Sequence, residues 1–544
     1  MNDILVREAR DGDIDEIREI FMEAYGPDYP YQDFYDEEWL KRAVYGDQLV
    51  MVVAEESASG AILGTGSVAF DIGVDSDLVG EFGRLAVHKE ARGQGIARKI
   101  MKRRIELIEK RLHVAIVDNR TTHPYSQRIS EDFGFVPVGF MPIKHRFNSG
   151  TRESIATYAR HFGSALTLRR NHPRVIPEVA PVAHLAMENL GMHSDLIVDE
   201  STPSYIGDDD FELSELEAQG MPYLLRIERG RVRDRHVFGP MQLTSGFFKL
   251  ATKQANYLVA RRPGMPSQAV AGAIGFLYEE QEKNFRVFEL IAASDQAIRF
   301  LFVALLERAQ ELGVEYIEVE VSAHGTALQR TLMELDFLPA AFIPAMVFHE
   351  VERLDVVKMV HLLADAPREG LAMVDAMKPI FELIMKEVEL RDVVPRIAEN
   401  IDELAIFKGL NEEQARRLAS AMSVITFEGG QPLFEEKEPA DEFYILLDGS
   451  VNISFSGADL GELRDGEVVG ENAMLAEANH SATVRALEPT TAAVLTRGEL
   501  GELIRRRPDI ATILYRNLAM SLGEKLRRAD AYAFSSIENG SVPK

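Results

Sequence analysis

The sequence predicts an α/β protein in which a mixed sheet occurs twice, followed by a C-terminal β-barrel or jelly roll with flanking helices. Three observations carry this. An apolar strand at 84–87 passes through a glycine turn at 92–97 into a basic helix. A later stretch repeats the order and punctuation of that first segment. From Ile401 onward, short strands alternate with evenly spaced glycines.

Taken in order, the first segment (1–150) opens with a strand over 5–9. A helix over 14–24 follows, with Ile14, Ile17, Ile20 and Phe21 at helical spacing and Asp13 placed to cap it. Strands follow at 49–54, 61–70 and 80–87, then the basic helix, a strand at 113–117, a helix, and Phe135-Val136-Pro137-Val138-Gly139-Phe140. In the second segment (151–355), Phe337-Leu338-Pro339-Ala340-Ala341-Phe342 echoes that last run, and His324 with Gln329-Arg330 echoes His123 with Gln127-Arg128. Its strand-to-helix turn, 292–297, has no glycine and no counterpart of Arg92, so close backbone approach to a ligand is blocked and the copy is read as non-catalytic. The linker, 356–400, reads as mainly helical. Its stripe of Met377, Ile380, Ile384 and Val388 fits packing within the chain or against a second copy in a homodimer. The glycine-punctuated strands occupy 401–530, before a polar tail at 531–544.

Bulk composition narrows the function classes. The chain has 544 residues and a net charge of −27, which repels phosphate backbones and argues against nucleic acid as a partner. It has no cysteine, which excludes thiolate nucleophiles, disulfides and cysteine metal sites. The acidic stretch 197–219, with Asp208-Asp209-Asp210, reads as a solvated loop, and no metal site is assigned. The N-terminus lacks a signal-peptide core and no apolar run suffices to cross a bilayer, so a cytoplasmic protein without membrane contact is the expectation.

The chemistry centres on Arg92-Gly93-Gln94-Gly95-Ile96-Ala97. Two glycines permit a tight turn, and the amides and dipole at the start of the next helix suit a pyrophosphate. A dinucleotide-binding loop would need a third glycine, which is missing. A tight turn without ligand is the other reading. The pattern resembles the acyl-CoA-binding loop of GNAT-superfamily acyltransferases, and the whole of 1–150 looks like one GNAT domain, with 151–355 a degenerate copy. The resemblance implies acetyl-CoA as co-substrate, a splayed strand at 85–87, and cofactor contacts from Leu85, Val87, Arg92, Gly93, Gln94, Gly95, Ala97 and Arg98.

An ammonium has no lone pair, so the acceptor amine must lose a proton to a carboxylate. Glu81 resembles the general base of several protein-lysine acetyltransferases of this superfamily; a solvent-facing strand glutamate is the alternative. Many members carry a tyrosine acid four residues before the Gly-Phe of the terminal helix. Ser130 stands there, leaving Tyr125 or His123 as substitutes or as structural residues.

Residues 401–530 resemble a cyclic nucleotide-binding domain. The resemblance implies a phosphate cassette at 470–484, with Gly470, Glu471, Asn472, His480, Ser481 and Ala482 at the ligand and cAMP or cGMP as effector. His480 replaces the family's phosphate-binding arginine and lacks its bidentate fork, so nucleotide binding and a purely structural role both stay open. The expected activity is acyl-CoA-dependent N-acetylation of a protein lysine, regulated by the C-terminal domain. The alternatives are a small-amine acetyltransferase with a structural C-terminal domain, and a non-catalytic sensor of CoA and nucleotide.

Overall fold

The structure is a computed structural model. It describes residues 3–29, 31–70, 77–207, 210–216, 235–239, 255–264, 270–398, 404–410, 412–471, 479–506 and 508–538. The chain forms two compact units, Met1–Met385 and Lys386–Lys544.

The first unit is built on one 15-stranded mixed sheet. Its N-terminal half contains β1 (Ile4–Glu8), α1 (Ile14–Tyr25), α2 (Glu37–Tyr45), β2 (Leu49–Glu56), β3 (Ile62–Ala69), β4 (Val79–Val87), α3 (Ile96–Ile108), β5 (Val114–Arg120), α4 (Tyr125–Asp132), β6 (Val136–Arg146) and β7 (Arg152–His161). The strand order is β1-β2-β3-β4-β5-β7-β6. The sheet then continues through Leu338–His349, Glu352–Leu362, Tyr316–Ser322, Asn284–Ala292, Gly272–Glu279, Ala255–Arg261 and Glu212–Glu215, which is the first order run backwards. The duplication read from the sequence is therefore a pair of half-sheets of mirrored strand order, joined antiparallel at β6 and Leu338–His349.

The two copies meet where the echoed motifs cross. Gly139 on β6 lies opposite Ala341. A Cβ on Gly139 would sit 2.1 Å from the Ala341 Cβ and 2.7 Å from the Ala340 carbonyl oxygen, so glycine is what lets the backbones approach.

α1 buries Ile14, Ile17, Ile20 and Phe21, the face its spacing predicts. Asp13 does not cap this helix. Its carboxylate accepts hydrogen bonds from Arg7 (2.7 and 2.8 Å) and from the Arg10 amide (2.7 Å), because an arginine two-toothed fork outcompetes a local cap.

The linker reading also needs correction. Residues 356–362 are not helical but belong to the strand Glu352–Leu362, inserted between Tyr316–Ser322 and Leu338–His349. Val356, Val357, Met359 and Val360 are all buried. A strand covered on both faces has no alternation to read, and so mimics a helix in sequence. The helix starts at Lys378. Met377, Ile380 and Ile384 are buried, and Phe381 meets Phe140 edge-on at 5.1 Å, so the stripe is accounted for within the chain.

In the second unit, two four-stranded antiparallel sheets form a jelly-roll sandwich. One orders Ser423–Phe427, Thr490–Thr496, Glu442–Asp448 and Val468–Val469; the other orders Pro432–Phe434, Thr483–Ala486, Ser450–Phe455 and Ala458–Arg464. The helices Arg497–Arg506 and Pro508–Glu538 follow. Among the described residues, no helix is long and apolar enough to cross a membrane.

Candidate functional site

β4 and β5 run parallel only from Val79↔Val114 to Glu81↔Ile116. Beyond that step β4 continues to Val87 without a partner on the β5 side, so the strands splay and leave backbone groups facing a gap. A bulge assists. Ser67 pairs with Gly83 and Thr65 with Ala86, which leaves an extra residue on β4, and Arg84 takes φ 56° there.

Arg104 on α3 holds this bulge from below. Its Nη1 donates to the carbonyls of Ser67 and Gly83, both at 3.0 Å, and its guanidinium lies 5.0 Å from the Phe82 ring centre. Burial pushes the guanidinium down to about 9, which still leaves it protonated near neutral pH. The sequence shows Arg104 as one more cation of a basic helix, so its role was not legible.

The gap opens into a cavity of about 860 Å³ between α1, β4, the glycine loop, α3, β5 and α4. That volume suits a large cofactor. Leu85, Val87, Arg92, Gly93, Gly95, Ala97 and Arg98 line it; Gln94 does not, and turns its amide towards the Glu90 carbonyl (3.5 Å). Gly93 and Gly95 have φ +81° and +76°, and a Cβ on either would meet no atom within 4 Å. The backbone conformation, rather than crowding, demands glycine here, and the space above it stays open for a ligand. No side chain caps α3, so its first amides remain available to an anion. Arg92 is exposed and donates from Nε to the Val87 carbonyl at 3.3 Å, while Arg98 pairs with Asp132.

Glu81 lies on the other side of the splay. It lines a second cavity of about 200 Å³, and Arg84 and Asp118 line both. Its carboxylate is 3.6 Å from Arg84. The second copy supplies Glu279, Glu282, Arg286, Glu318 and Lys358 to the same wall. Ion pairs run through this wall: Lys358 donates to Glu318 (2.7 Å) and Glu320 (2.8 Å), and Lys144 to Asp118 (2.8 Å). Burial, with the Glu282 carboxylate beside it, pushes Glu279 up to about 7. Burial also raises Glu282, but His145, at 2.9 Å, more than offsets this and holds it below the usual carboxylate range.

The candidate acids stand at the mouth and in the wall of the large cavity. Tyr125, at the start of α4, is 67% exposed, with His123 beside it at 5.3 Å between ring centres. Ser130 is buried; it takes a hydrogen bond from Asn119 Nδ2 (3.1 Å) and donates to the Ser126 carbonyl (3.0 Å).

In the second copy, the equivalent gap is filled by the chain itself. Val237–Phe238 adds to the Tyr316–Ser322 strand beside Asn284–Ala292, and both residues are buried. A Cβ on Gly239 would sit 2.5 Å from the Phe288 Cα. Missing glycines in the turn suggested a copy without cofactor; the filled gap supplies a second, independent reason, carried by a segment with no motif.

In the jelly roll, Gly470 has φ +81°, and a Cβ there would lie 3.1 Å from the Glu442 carbonyl oxygen. Glu471 is buried and accepts a hydrogen bond from Lys525 Nζ at 2.5 Å; Lys525 also donates to the Val468 carbonyl. Lys525 comes from the helix Pro508–Glu538, far along the chain, and no spacing rule points to it. His480 is stacked on Phe434, with ring centres 3.7 Å apart and planes at 11°, and burial holds its imidazole below the usual range. It therefore carries no cation to this site near neutral pH. Ser481 and Ala482 lead into the strand Thr483–Ala486. Asn472 lies outside the described residues, as do Asp208 and Asp209.

Comparison with known proteins bears on both sites. Residues 14–135 match the acetyltransferase (GNAT) family, and residues 424–507 match the cyclic nucleotide-binding domain. The cGMP-dependent protein kinase of Eimeria tenella is 29% identical over 168 residues, 30% of this chain and 16% of the kinase. The cyclic AMP receptor protein of Thermus thermophilus is 32% identical over 130 residues, 23% of this chain and 58% of the receptor. The chain thus spans between 16 and 58% of the lengths of these two curated relatives. A solved cyclic nucleotide-binding domain from Methylobacillus flagellatus is 23% identical and aligns with 28% of this chain and 86% of its own, at a TM-score of 0.25.

Proposed function

From a chain that carries a GNAT acetyltransferase domain and a C-terminal cyclic nucleotide-binding domain, we propose an enzyme that transfers an acetyl group from acetyl-CoA to the side-chain amine of a protein lysine, regulated by a cyclic nucleotide. The observation that carries the reading is the splay of β4 from β5 just beyond Glu81, opening onto an uncapped glycine loop on one side and a carboxylate-lined cavity on the other. The positive-φ glycines and the open space above them fit a pyrophosphate, and the unpaired edge of β4 fits a pantetheine amide.

The acceptor amine then approaches from the Glu81 side. A slender, flexible lysine side chain suits a cavity of about 200 Å³. Glu81 takes the ammonium proton, directly or through water; the amine nitrogen forms a bond to the acetyl carbon as the carbon–sulfur bond breaks. Backbone amides of β4 polarise the carbonyl, the sulfur leaves as thiolate, and the second proton lost by nitrogen passes, directly or through water, to that thiolate, so that CoA leaves as the thiol. On the regulatory side, Glu471 is the residue for a ribose hydroxyl, and Lys525 competes for its carboxylate.

Calorimetric titration of the full chain with acetyl-CoA and with cAMP, together with acetylated-protein detection and a panel of small amines, tests this. Acetyl-CoA binding in the micromolar range and lysine acetylation are expected. Glu81→Gln should retain acetyl-CoA affinity and lose roughly 100-fold in turnover. Near-normal turnover with an unchanged pH–rate profile would remove Glu81 from the mechanism.

A further inference from the structure

Gln127 is fully buried on α4. Its Nε2 donates to the carbonyls of Arg120 (3.2 Å) and Ala372 (2.8 Å), and its Oε1 accepts from the Val374 amide (3.1 Å). The Ala372 amide in turn donates to the Thr121 carbonyl at 2.6 Å. One side chain thus grips, like a short strand, the segment that leads into the helix Lys378–Ala398. That helix carries the chain across the boundary into the C-terminal unit.

The second copy has the same clamp. Gln329 donates to the carbonyls of Ser322 (3.1 Å) and Arg174 (3.3 Å) and accepts from the Ile176 amide (3.1 Å), just ahead of the helix Ala180–Asn189. The connections are exchanged: the segment after the first copy is gripped by the second, and the segment after the second copy is gripped by the first. Of the two clamps, the one that leads to the C-terminal unit holds the copy with the glycine loop.

α4 turns Ser126, Ile129 and Ser130 into the 860 Å³ cavity, and Gln127 is not among its lining residues. We propose that Gln127 is a positioning residue for the acyl-CoA cavity, making the placement of its α4 wall depend on the chain segment 372–374. This rests on the reading of that cavity as the acetyl-CoA site. Without the clamp, the buried Val374 amide and the half-buried Ala372 carbonyl lose this partner and α4 loses its tether. Coupling is reciprocal, so a ligand that fixes the cavity wall must also tighten the clamp.

The test uses the full chain and acetyl-CoA. Saturation with acetyl-CoA should slow hydrogen exchange at the Ala372 and Val374 amides, and Gln127→Met should weaken acetyl-CoA binding by about tenfold in calorimetry. Gln329→Met is the matched control: it breaks an equivalent clamp at similar cost in melting temperature and should leave acetyl-CoA affinity unchanged. If acetyl-CoA binds while exchange at 372–374 does not change, or if the two variants weaken binding equally, the proposal is overturned. The exchange measurement on unmodified protein decides the matter even if Gln127→Met does not fold. Absence of acetyl-CoA binding to the unmodified chain would overturn the acyltransferase reading and this inference together.

Discussion

Glu471 accepts a hydrogen bond from the Lys525 ammonium on Oε1, so under the proposed regulation a ribose hydroxyl competes with a cation for this carboxylate. The pair is largely shielded, with side chains 6 and 27% exposed, and breaking it leaves a buried carboxylate unpaired. Lys525→Met should therefore tighten cAMP binding by about tenfold in calorimetry while lowering the melting temperature. Unchanged or weaker binding would mean that Lys525 serves the ligand rather than competes with it. At the same scale, Glu81 and Arg286 occupy the same step of the parallel pairing in the two copies, opposite Ile116 and Glu318. The position where the first copy keeps a carboxylate is a half-buried cation in the second. The sequence made Glu81 a candidate from its place before the loop. That it faces a cavity separate from the one beside the glycine loop, with a wall from the other copy, depends on residues roughly 200 positions away.

Strands and helices differed in how legible they were. Those with one covered face, such as α1, declare themselves through spacing. The strand Glu352–Leu362 is covered on both faces and reads as helix. The β4 bulge is invisible in sequence because it is a property of pairing with β3, and Arg104 matters only once the bulge exists. Arg104→Met leaves the buried Ser67 carbonyl and the half-buried Gly83 carbonyl without that donor. A loss on the order of 3 kcal/mol in stability is expected. Thermal unfolding reads that loss, and calorimetry should show weaker acetyl-CoA binding as the splay loosens. Stability loss with full acetyl-CoA affinity would show that the splay holds without Arg104.

The largest feature of the molecule is the junction of two copies into one sheet. It passes through Gly139 and Ala341, where a Cβ on the glycine would also lie 2.6 Å from the Ala341 Cα. Gly139→Val should destabilise the first unit by roughly 3 kcal/mol or more, measured as a lower melting temperature, with partial rescue by Ala341→Gly. A variant as stable as the parent would mean that the two half-sheets can shift apart at little cost. The junction gives the echoed sequences a shared role: the same Phe-x-Pro motif leads into both strands that meet there, so the repeat coincides with an interface.

By itself the sequence determined the features that depend on local backbone chemistry or on internal repetition. These are the positive-φ glycines of the loop at 92–97, the absence of glycine in the second copy's turn, the duplication, and the glycine-punctuated jelly roll. Tertiary structure alone decided the rest: the chain segment that fills the second copy's gap, the exchange of linkers through Gln127 and Gln329, the hold of Arg104 on the bulge, and the closure of Lys525 on Glu471. Each of these is a contact between residues distant in sequence, made by side chains whose type is common on any helix or strand. A local pattern can specify a turn, but a partner is specified only when folding brings it within hydrogen-bond reach.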